Sequence, residues 1–460
     1  YGQVRMMKFM INYFQYTGDP IWKERIDRMV DGIDKKMCRH KVDPSTGKKY
    51  AYMPSGAGIT EGYHGSCMAR SGWQKEGREP GAEADGANEG SVFMDIGPFP
   101  GVLAQWYRMT GNRRALGLAD EFANFMMMKK VWGTDNDPIG KDRGAELGHW
   151  QGHFFGRMEA MKGLIEYAIV TNNAAIKEFV RGAYEWARNS NTWPSLHNPI
   201  APIPAIGFFD AHCGCTTARM IALAIRLSDA GIGDYWDDVD RYTRNNLVEL
   251  QLLDPTILRK IVETKPAWVI RPEIDNTDDS IVDRSIGLYP VSGTPTEILL
   301  SNYAYGGGCC LCHDNYGLYY AWEGIVRCDK DTATVNLLLN RATPWMDIDS
   351  YLPYEGKVVI HNKTAKTLLL RIPTWADKTA VRCKRNGKSA DFAWAGNYIL
   401  VDGLGKKETI TVEFPMVEST SKHTVNDVTF TCRFRGNTLV EISPRPEAPA
   451  PPLPAAAAPA

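Results

Sequence analysis

Cysteine is clustered in this chain, and cysteine is a residue type whose spacing can reveal chemistry. Half of the ten cysteines fall in two short runs that are far apart in the sequence. They are Cys213 and Cys215 in the first run, and Cys309, Cys310 and Cys312 in the second. Thiolates brought together from two segments can bind a metal, form a disulfide or supply one activated nucleophile. Because adjacent and Cys-x-Cys spacings are awkward for ordinary internal bridges, metal binding or catalysis is favoured.

Composition excludes several other classes of function. The chain of 460 residues has a net charge of −1 and a pI of about 6.8, which offers no basic surface for nucleic acid or an anionic membrane. No apolar run reaches the length of a transmembrane helix. The 13 Trp and 20 Tyr suit a groove that stacks on sugar rings, although core packing is the favoured explanation for any single aromatic residue.

The elements that must position the cysteines begin with a repeated helical hairpin. Over residues 1–250, an amphipathic helix ends in a small polar turn and a second helix follows, four times. The turns are Thr17-Gly18-Asp19, Thr110-Gly111-Asn112, Thr171-Asn172-Asn173 and residues 228–233. Gly or Asn can end the first helix in the left-handed conformation, and Asp or Asn can cap the second. This repetition predicts an (α/α) toroid that lacks its first helices, with an open solenoid as the alternative.

The hydrophobic period changes from helical to alternating after one further helix at 313–327. Runs at 334–339, 357–360, 367–372, 380–383, 398–401 and 409–414 read as strands, and two more follow at 428–434 and 438–442. Short turns between them predict an antiparallel β-sandwich. We therefore expect a multidomain α-then-β chain: a toroid catalytic domain at 1–327, a β-sandwich at 328–443, and a disordered Pro/Ala-rich tail at 444–460.

One family resemblance is carried by motifs in both parts of the chain. Leu370-Arg371-Ile372-Pro373-Thr374-Trp375 and Gly308-Cys309-Cys310 resemble the β-L-arabinofuranosidase-like glycoside hydrolases, family 127 and its relatives. The helix start at Cys215 fits the same group, and the resemblance covers roughly residues 100–416.

The resemblance implies a zinc–cysteine site. In that family one Glu and three Cys bind zinc, and one of two adjacent cysteines is the nucleophile. By position, Cys309 is the nucleophile, Cys310 and Cys215 are ligands, and Cys213 stands where the family has its ligand Glu. Such a four-sulfur set suits tetrahedral Zn²⁺. A second register, in which Cys310 and Cys312 are the matched pair, stays open, and so does a purely structural zinc site.

The family's acid/base Glu has no carboxylate counterpart here. His197 stands near that position, and histidine can serve as a general acid or base near neutral pH. Asp210 is the nearest carboxylate and the fallback for this role. The side chains expected to bind substrate hydroxyls are His149, Trp150, His153 and His212. His313 and Asp314, directly after the second cysteine run, are expected to support the metal ligands.

These residues lead to one main hypothesis and two alternatives. The main one is a retaining glycosidase with a zinc-bound cysteine nucleophile that removes β-L-arabinofuranoside-like units from a plant or microbial glycan. A polysaccharide lyase using His and Tyr is the second, and a non-catalytic glycan-binding protein with a structural zinc is the third. All three imply an oligosaccharide or polysaccharide partner. We expect a periplasmic or secreted location rather than a cytoplasmic one.

Overall fold

The structure is a computed structural model of the chain. It describes residues 2–53, 96–132, 147–148, 154–189, 200–203, 207–210, 215–256, 258–259, 263, 279–289, 310–425 and 428–445. The chain divides into two compact units, one made of Tyr1–Ile200 with Ala222–Asp234, the other of Ala201–Ile221 with Tyr235–Ala460. This division differs from the predicted one between 327 and 328, and the borders of a toroid and a sandwich remain predictions.

Paired helices make up most of the described part of the first unit. They are α1 (Gly2–Thr17), α2 (Pro20–Gly32), α3 (Phe99–Thr110), α4 (Arg113–Met126), α5 (Phe154–Thr171) and α6 (Ala174–Asn189), with a π-helical turn at Ile33–Met37 and a short helix at Lys129–Trp132. A hairpin of β1 (Arg39–Val42) and β2 (Lys49–Tyr52), which the sequence reading missed, follows the π turn. No helix in the described ranges is long and apolar enough to cross a bilayer.

The predicted turn chemistry is confirmed at the first three hairpins. Gly18, Gly111 and Asn172 take positive φ angles of 67°, 73° and 53°, which ends each first helix. The next residue then accepts a backbone hydrogen bond at the start of the following helix, as the Asn112 side chain does from Ala115 N at 3.0 Å. In each first helix the closing threonine also donates to a carbonyl one turn earlier, as Thr110 does to Trp106 O at 2.7 Å. The sequence therefore specifies these hairpins locally.

Glycines let two of the hairpins pack closely. A Cβ built on Gly163 of α5 would lie 2.0 Å from the carbonyl oxygen of Gly97, which precedes α3. A Cβ on Gly101 of α3 would lie 2.9 Å from Gly163 O. Because real atoms do not approach so closely, only glycine fits at this crossing of α3 and α5.

The second unit contains the remaining helices and most of the strands. Its helices are the first part of α7 (Cys215–Asp229), then α8 (Trp236–Tyr242), a π-helical turn (Thr243–Leu247), two short helices (Val248–Leu250 and Ile281–Arg284) and α9 (Cys310–Gly324). α9 confirms the helix predicted at 313–327, shifted by three residues toward the cysteine run.

Antiparallel pairing dominates the sheets of the second unit. The strands are β3 (Ile200–Ile203), β4 (Gly207–Asp210), β5 (Val326–Asp329), β6 (Thr332–Val335), β7 (Arg341–Ala342), β8 (Met346–Ser350), β9 (Lys357–Asn362), β10 (Thr367–Arg371), β11 (Arg382–Arg385), β12 (Lys388–Ser389), β13 (Ala393–Ala395), β14 (Tyr398–Val401), β15 (Thr409–Glu413), β16 (Glu418–Val425), β17 (Val428–Arg435) and β18 (Thr438–Ser443). They form sheets ordered β13-β14-β10-β6-β5, β12-β11-β15-β9-β8-β7, β16-β17-β18 and β3-β4. Only β6 and β10, among the described pairs, run parallel.

The strand predictions hold best where apolar residues alternate cleanly. The predicted strand at 398–401 coincides with β14, and those at 357–360, 367–372, 409–414, 428–434 and 438–442 match strands within two residues at either end. The strand predicted at 334–339 is wrong from residue 336 onward, because β6 ends at Val335. The buried run of Leu337 and Leu338 that follows leaves the sheet. A continuous apolar run does not by itself distinguish strand from buried loop.

The arginine of the Leu-Arg-Ile-Pro motif has a structural role. Arg371, at the end of β10, is 2% exposed and donates to Asp237 of α8 at 2.9 Å. Asp237 also accepts from the backbone N–H and the hydroxyl of Thr374, and from Asn437 Nδ2 at 3.1 Å. Burial alone would raise the pKa of Asp237, but the Arg371 charge and these hydrogen bonds hold that pKa well below its usual range. One buried carboxylate thus joins α8 to β10 and to the β17–β18 turn.

Candidate active site at two cysteine-bearing helix starts

Each predicted cysteine run includes a residue that begins a helix in the second unit. α7 begins at Cys215, the last cysteine of the first run. α9 begins at Cys310 and carries Cys312 in its first turn. A helix N-terminus stabilises negative charge and so favours a thiolate over a thiol. The backbone at both helix starts would therefore help a cysteine there to ionise.

The two helices pack against each other near these starts. A Cβ added to Gly317 of α9 would lie 2.7 Å from the Cβ of Ala218 of α7, so the backbones approach closely at this point. By helical spacing, Ala218 shares a face of α7 with Cys215, and Gly317 shares a face of α9 with position 310. The face of α7 that carries Cys215 and the face of α9 that includes position 310 are therefore turned toward each other.

A buried hydrogen bond joins the same two helices. Arg219 Nη2 lies 2.8 Å from His313 Nδ1, and these residues are 6% and 5% exposed. Because a guanidinium can only donate, His313 Nδ1 must accept, and a neutral His313 then carries its proton on Nε2. The ring directly after the second cysteine run is thus fixed in one tautomer that presents an N–H donor.

Asp314 and Tyr289 add two more buried polar groups beside α9. Both residues are fully buried, with 0% exposure. Burial, and after it the negative charge of Asp314, raises the pKa of Tyr289 to about 12. The phenol therefore keeps its proton at any ordinary pH and can act as a hydrogen-bond donor. Both His313 and Asp314 are buried, and their support of the metal ligands stays a prediction.

The sulfur of Cys215 is the one predicted metal-ligand sulfur that the structure describes. Cys215 is fully buried and disulfide-bonded, and its partner is none of the four free cysteines among the described residues. Zn²⁺ binds thiolates, and a disulfide has none to offer. Cys215 therefore fits a zinc site only in its reduced form. Within the described part of the chain no three His, Cys, Asp or Glu side chains group as metal ligands would.

Comparison with solved structures finds this fold among glycoside hydrolases. The fold is similar to that of a GH127 beta-arabinofuranosidase. That match has a TM-score of 0.55 and 14% identity, and it covers 95% of this chain and 63% of the other. A second structure, described as a glycoside hydrolase, matches with a TM-score of 0.51, 14% identity, and coverage of 77% of this chain and 61% of the other. A GH127 beta-L-arabinofuranosidase from Geobacillus stearothermophilus T6 gives 0.45, 13% identity, and coverage of 92% and 73%.

These likenesses concern the fold, a helical region followed by largely antiparallel sheets. No family model matches the chain, and the comparison with curated proteins gives no match. The chain spans 63% and 61% of the two solved structures that it resembles above a TM-score of 0.5. The resemblance read from the cysteine and Leu-Arg-Ile-Pro motifs is thus confirmed at the level of fold.

Several predicted site residues lie outside the described residues. They are His149, Trp150, His153, His197, His212, Cys213 and Cys309. Asp210 ends β4, and Cys310 and Cys312 lie in α9, but the described side chains do not include theirs. Their roles stay predictions.

Sequence reasoning missed three buried polar residues of this region. Arg219 lies one helical turn after Cys215, on the same face of α7, and helical spacing from the cysteine would have found it. Tyr289 and Asn246 are far from both runs in sequence, and no motif marks either one. Only the fold brings the segments that carry them to α9.

Proposed function

We propose that the protein is a retaining glycoside hydrolase whose nucleophile is Cys309. Its substrates are glycans that carry β-L-arabinofuranoside-like units. The observation that carries the proposal is the packing of the two cysteine-bearing helices at Ala218 and Gly317, within a fold like that of a GH127 beta-arabinofuranosidase. We also propose that the helices belong to an (α/α) toroid, that the strands form a sandwich, and that the protein works in the periplasm or outside the cell.

The reaction would follow two displacements at the anomeric carbon. The Cys309 thiolate forms a bond to this carbon while the bond to the leaving oxygen breaks, and a general acid gives that oxygen its proton. His197 is the first choice for this acid and Asp210 the second. The same group, now a base, takes a proton from water as the water displaces the sulfur. Two inversions leave the configuration of the sugar unchanged.

A zinc ion would keep the nucleophilic sulfur deprotonated near neutral pH, where a free thiol is mostly protonated. Cys213, Cys215, Cys309 and Cys310 would hold it, or Cys310 and Cys312 would replace the second pair. Because Cys215 must first be reduced, zinc binding should require a reductant. Elemental analysis of the protein before and after thiol reduction, with zinc supplied, tests this. Uptake of about one zinc per chain only after reduction supports the site, and no uptake in either state removes it.

The decisive variant is Cys309→Ser, with Cys328→Ser as its matched control. Cys328 is a free, partly exposed cysteine on β5, away from both runs. On 4-nitrophenyl β-L-arabinofuranoside we expect kcat to fall by at least about 10³-fold in Cys309→Ser, because the nucleophile is lost. Cys328→Ser should keep full activity. Full activity in Cys309→Ser removes the nucleophile role, and a product that absorbs in the near ultraviolet identifies a lyase instead.

A further inference from the structure

Among the described residues of the second unit, Asn246 and Tyr289 are two buried side chains with a polar atom that makes no hydrogen bond. The Oδ1 atom of Asn246 and the hydroxyl of Tyr289 have no partner among the described residues, and these side chains are 1% and 0% exposed. Buried polar groups are nearly always satisfied, so an orphaned pair asks for an explanation. Tyrosine hydroxyls in particular find a partner when they are buried.

Both orphaned groups belong to segments that lie near α9. Tyr289 is close enough to Asp314 to feel the charge of its carboxylate. Asn246 precedes Leu247, whose side chain is 2.7 Å from the Cβ position of Gly317. Asp314 and Gly317 are three residues apart, and position 310 is one turn before Asp314, so all three share a helical face. The two unsatisfied side chains therefore come from segments that lie beside the face of α9 that includes position 310.

The backbone around Asn246 supports a dedicated role. Residues Thr243–Leu247 form a π-helical turn, an irregularity that is frequent at functional sites. The preceding Asn245 is fully engaged on the β17–β18 side, donating to Asn437 O at 2.8 Å and accepting from Leu439 N at 2.9 Å. Asn245 thus makes hydrogen bonds within the fold, whereas the Oδ1 atom of Asn246 in the same π turn makes none among the described residues.

We propose that Asn246 and Tyr289 hydrogen-bond the hydroxyl groups of the sugar unit bound beside α9. This inference rests on the proposed function and deepens it by naming two residues that contact the substrate. A carboxamide and a phenol both donate and accept, which suits the many neutral hydroxyl groups of a sugar. The orphaned atoms then receive in the complex the partners that they lack in the free chain.

The variants Tyr289→Phe and Asn246→Ala test the proposal, because neither breaks a hydrogen bond of the free protein. We expect each to keep the Tm of the wild type and to lower kcat/KM on 4-nitrophenyl β-L-arabinofuranoside about tenfold, the value of one good hydrogen bond. Affinity for methyl β-L-arabinofuranoside, measured by calorimetry, should fall in parallel.

Two control variants remove hydrogen bonds that the fold itself uses. The Tyr167 hydroxyl donates to Asp120 at 2.6 Å, and Asn362 Nδ2 donates to two carbonyl oxygens at 2.8 Å. Tyr167→Phe and Asn362→Ala should therefore lower the Tm and leave kcat/KM unchanged, the reverse of the test pair.

Failure of this inference can be told apart from failure of the proposed function. If the wild type turns over the glycoside and both test variants match it, the groups do not touch substrate and the hydrolase proposal stands. A lower Tm in both test variants, with activity unchanged, assigns them to the fold, through a trapped water for example. A wild type that neither hydrolyses the aryl glycoside nor binds the methyl glycoside overturns the proposed function and this inference with it.

Discussion

Removal of the Asp237 carboxylate should destabilise the second unit strongly. Asp237→Ala removes the carboxylate that accepts from Arg371, which is 2% exposed, and it takes an acceptor from Thr374 and Asn437. Breaking a buried ion pair by removing one partner costs about 3–5 kcal/mol. The loss belongs in this range because four donors converge on this one side chain. Asp237→Asn should lose nearly as much, since the amide carries no charge and turns an N–H₂ group toward donors.

Urea unfolding followed by tryptophan fluorescence measures this effect. With a slope of about 3 kcal/mol/M, a loss of about 3–5 kcal/mol moves the midpoint down by about 1–1.7 M. The matched control is Asp331→Asn, because the Asp331–Lys366 pair is exposed by 57% and 68% and should be worth less than about 1 kcal/mol. Equal midpoints for the two variants, at equal slopes, would refute the reasoning, because they would show that the buried network supports nothing.

The pH dependence of the stability of Asp237→Asn gives an independent check. The pKa of Asp237 is lowered in the folded state, so its stabilising contribution is present above the unfolded pKa of about 3.9 and is lost as the pH falls through the folded value. The difference in stability between wild type and Asp237→Asn should therefore be constant above about pH 5 and shrink below about pH 4. A difference that grows on acidification has the wrong sign for this account.

Two further predictions concern the first unit. Gly163→Ala should lower the Tm by several degrees, because its Cβ would lie 2.0 Å from a carbonyl oxygen. The control Gly117→Ala, whose Cβ would have nothing within 4 Å, should raise the stability by about 1 kcal/mol through helix propensity. Equal shifts of Tm in the two variants would contradict the close packing at Gly163. His40 lies between Glu121 Oε2, at 2.5 Å, and the backbone oxygen of Asp34, at 3.0 Å; burial alone would lower its pKa, but these contacts raise it. The stabilising contribution of the His40 contacts is therefore full below about pH 6.5 and is lost as the pH rises through the folded pKa. The stability of His40→Gln should thus approach that of the wild type at high pH. A difference in stability that widens at high pH counts against the pair.

Local signals account for most of the fold that the sequence predicted. Helix ends at Gly18 and Gly111, with caps at Asp19 and Asn112, depend on residues within one turn, so a single sequence is enough to find them. The hairpin at Arg39–Tyr52 escaped because its strands have only four residues each and follow a π turn. Short strands without a long alternating run carry little periodic signal.

The candidate site was predictable only where its residues adjoin a rare cluster. Cysteine is scarce, so the two runs and the neighbouring His313 and Asp314 could be singled out from sequence, and the burial of these two neighbours fits. Asn246 and Tyr289 belong to common residue types in unremarked segments. Their significance lies in a missing partner, and a missing partner is a property of the folded chain that no spacing in the sequence can express.

The motif that carries the family resemblance does not itself do chemistry. Arg371 and Thr374 of the Leu-Arg-Ile-Pro-Thr-Trp run both donate hydrogen bonds to Asp237, and these bonds connect β10 to α8. A buried charge that needs a fixed partner allows few substitutions, because removing either member leaves the other uncompensated. Such a motif can persist in a fold whatever the fold catalyses. The fold that this chain shares with a GH127 beta-arabinofuranosidase therefore does not decide the reaction, which has to be decided at the two cysteine-bearing helix starts.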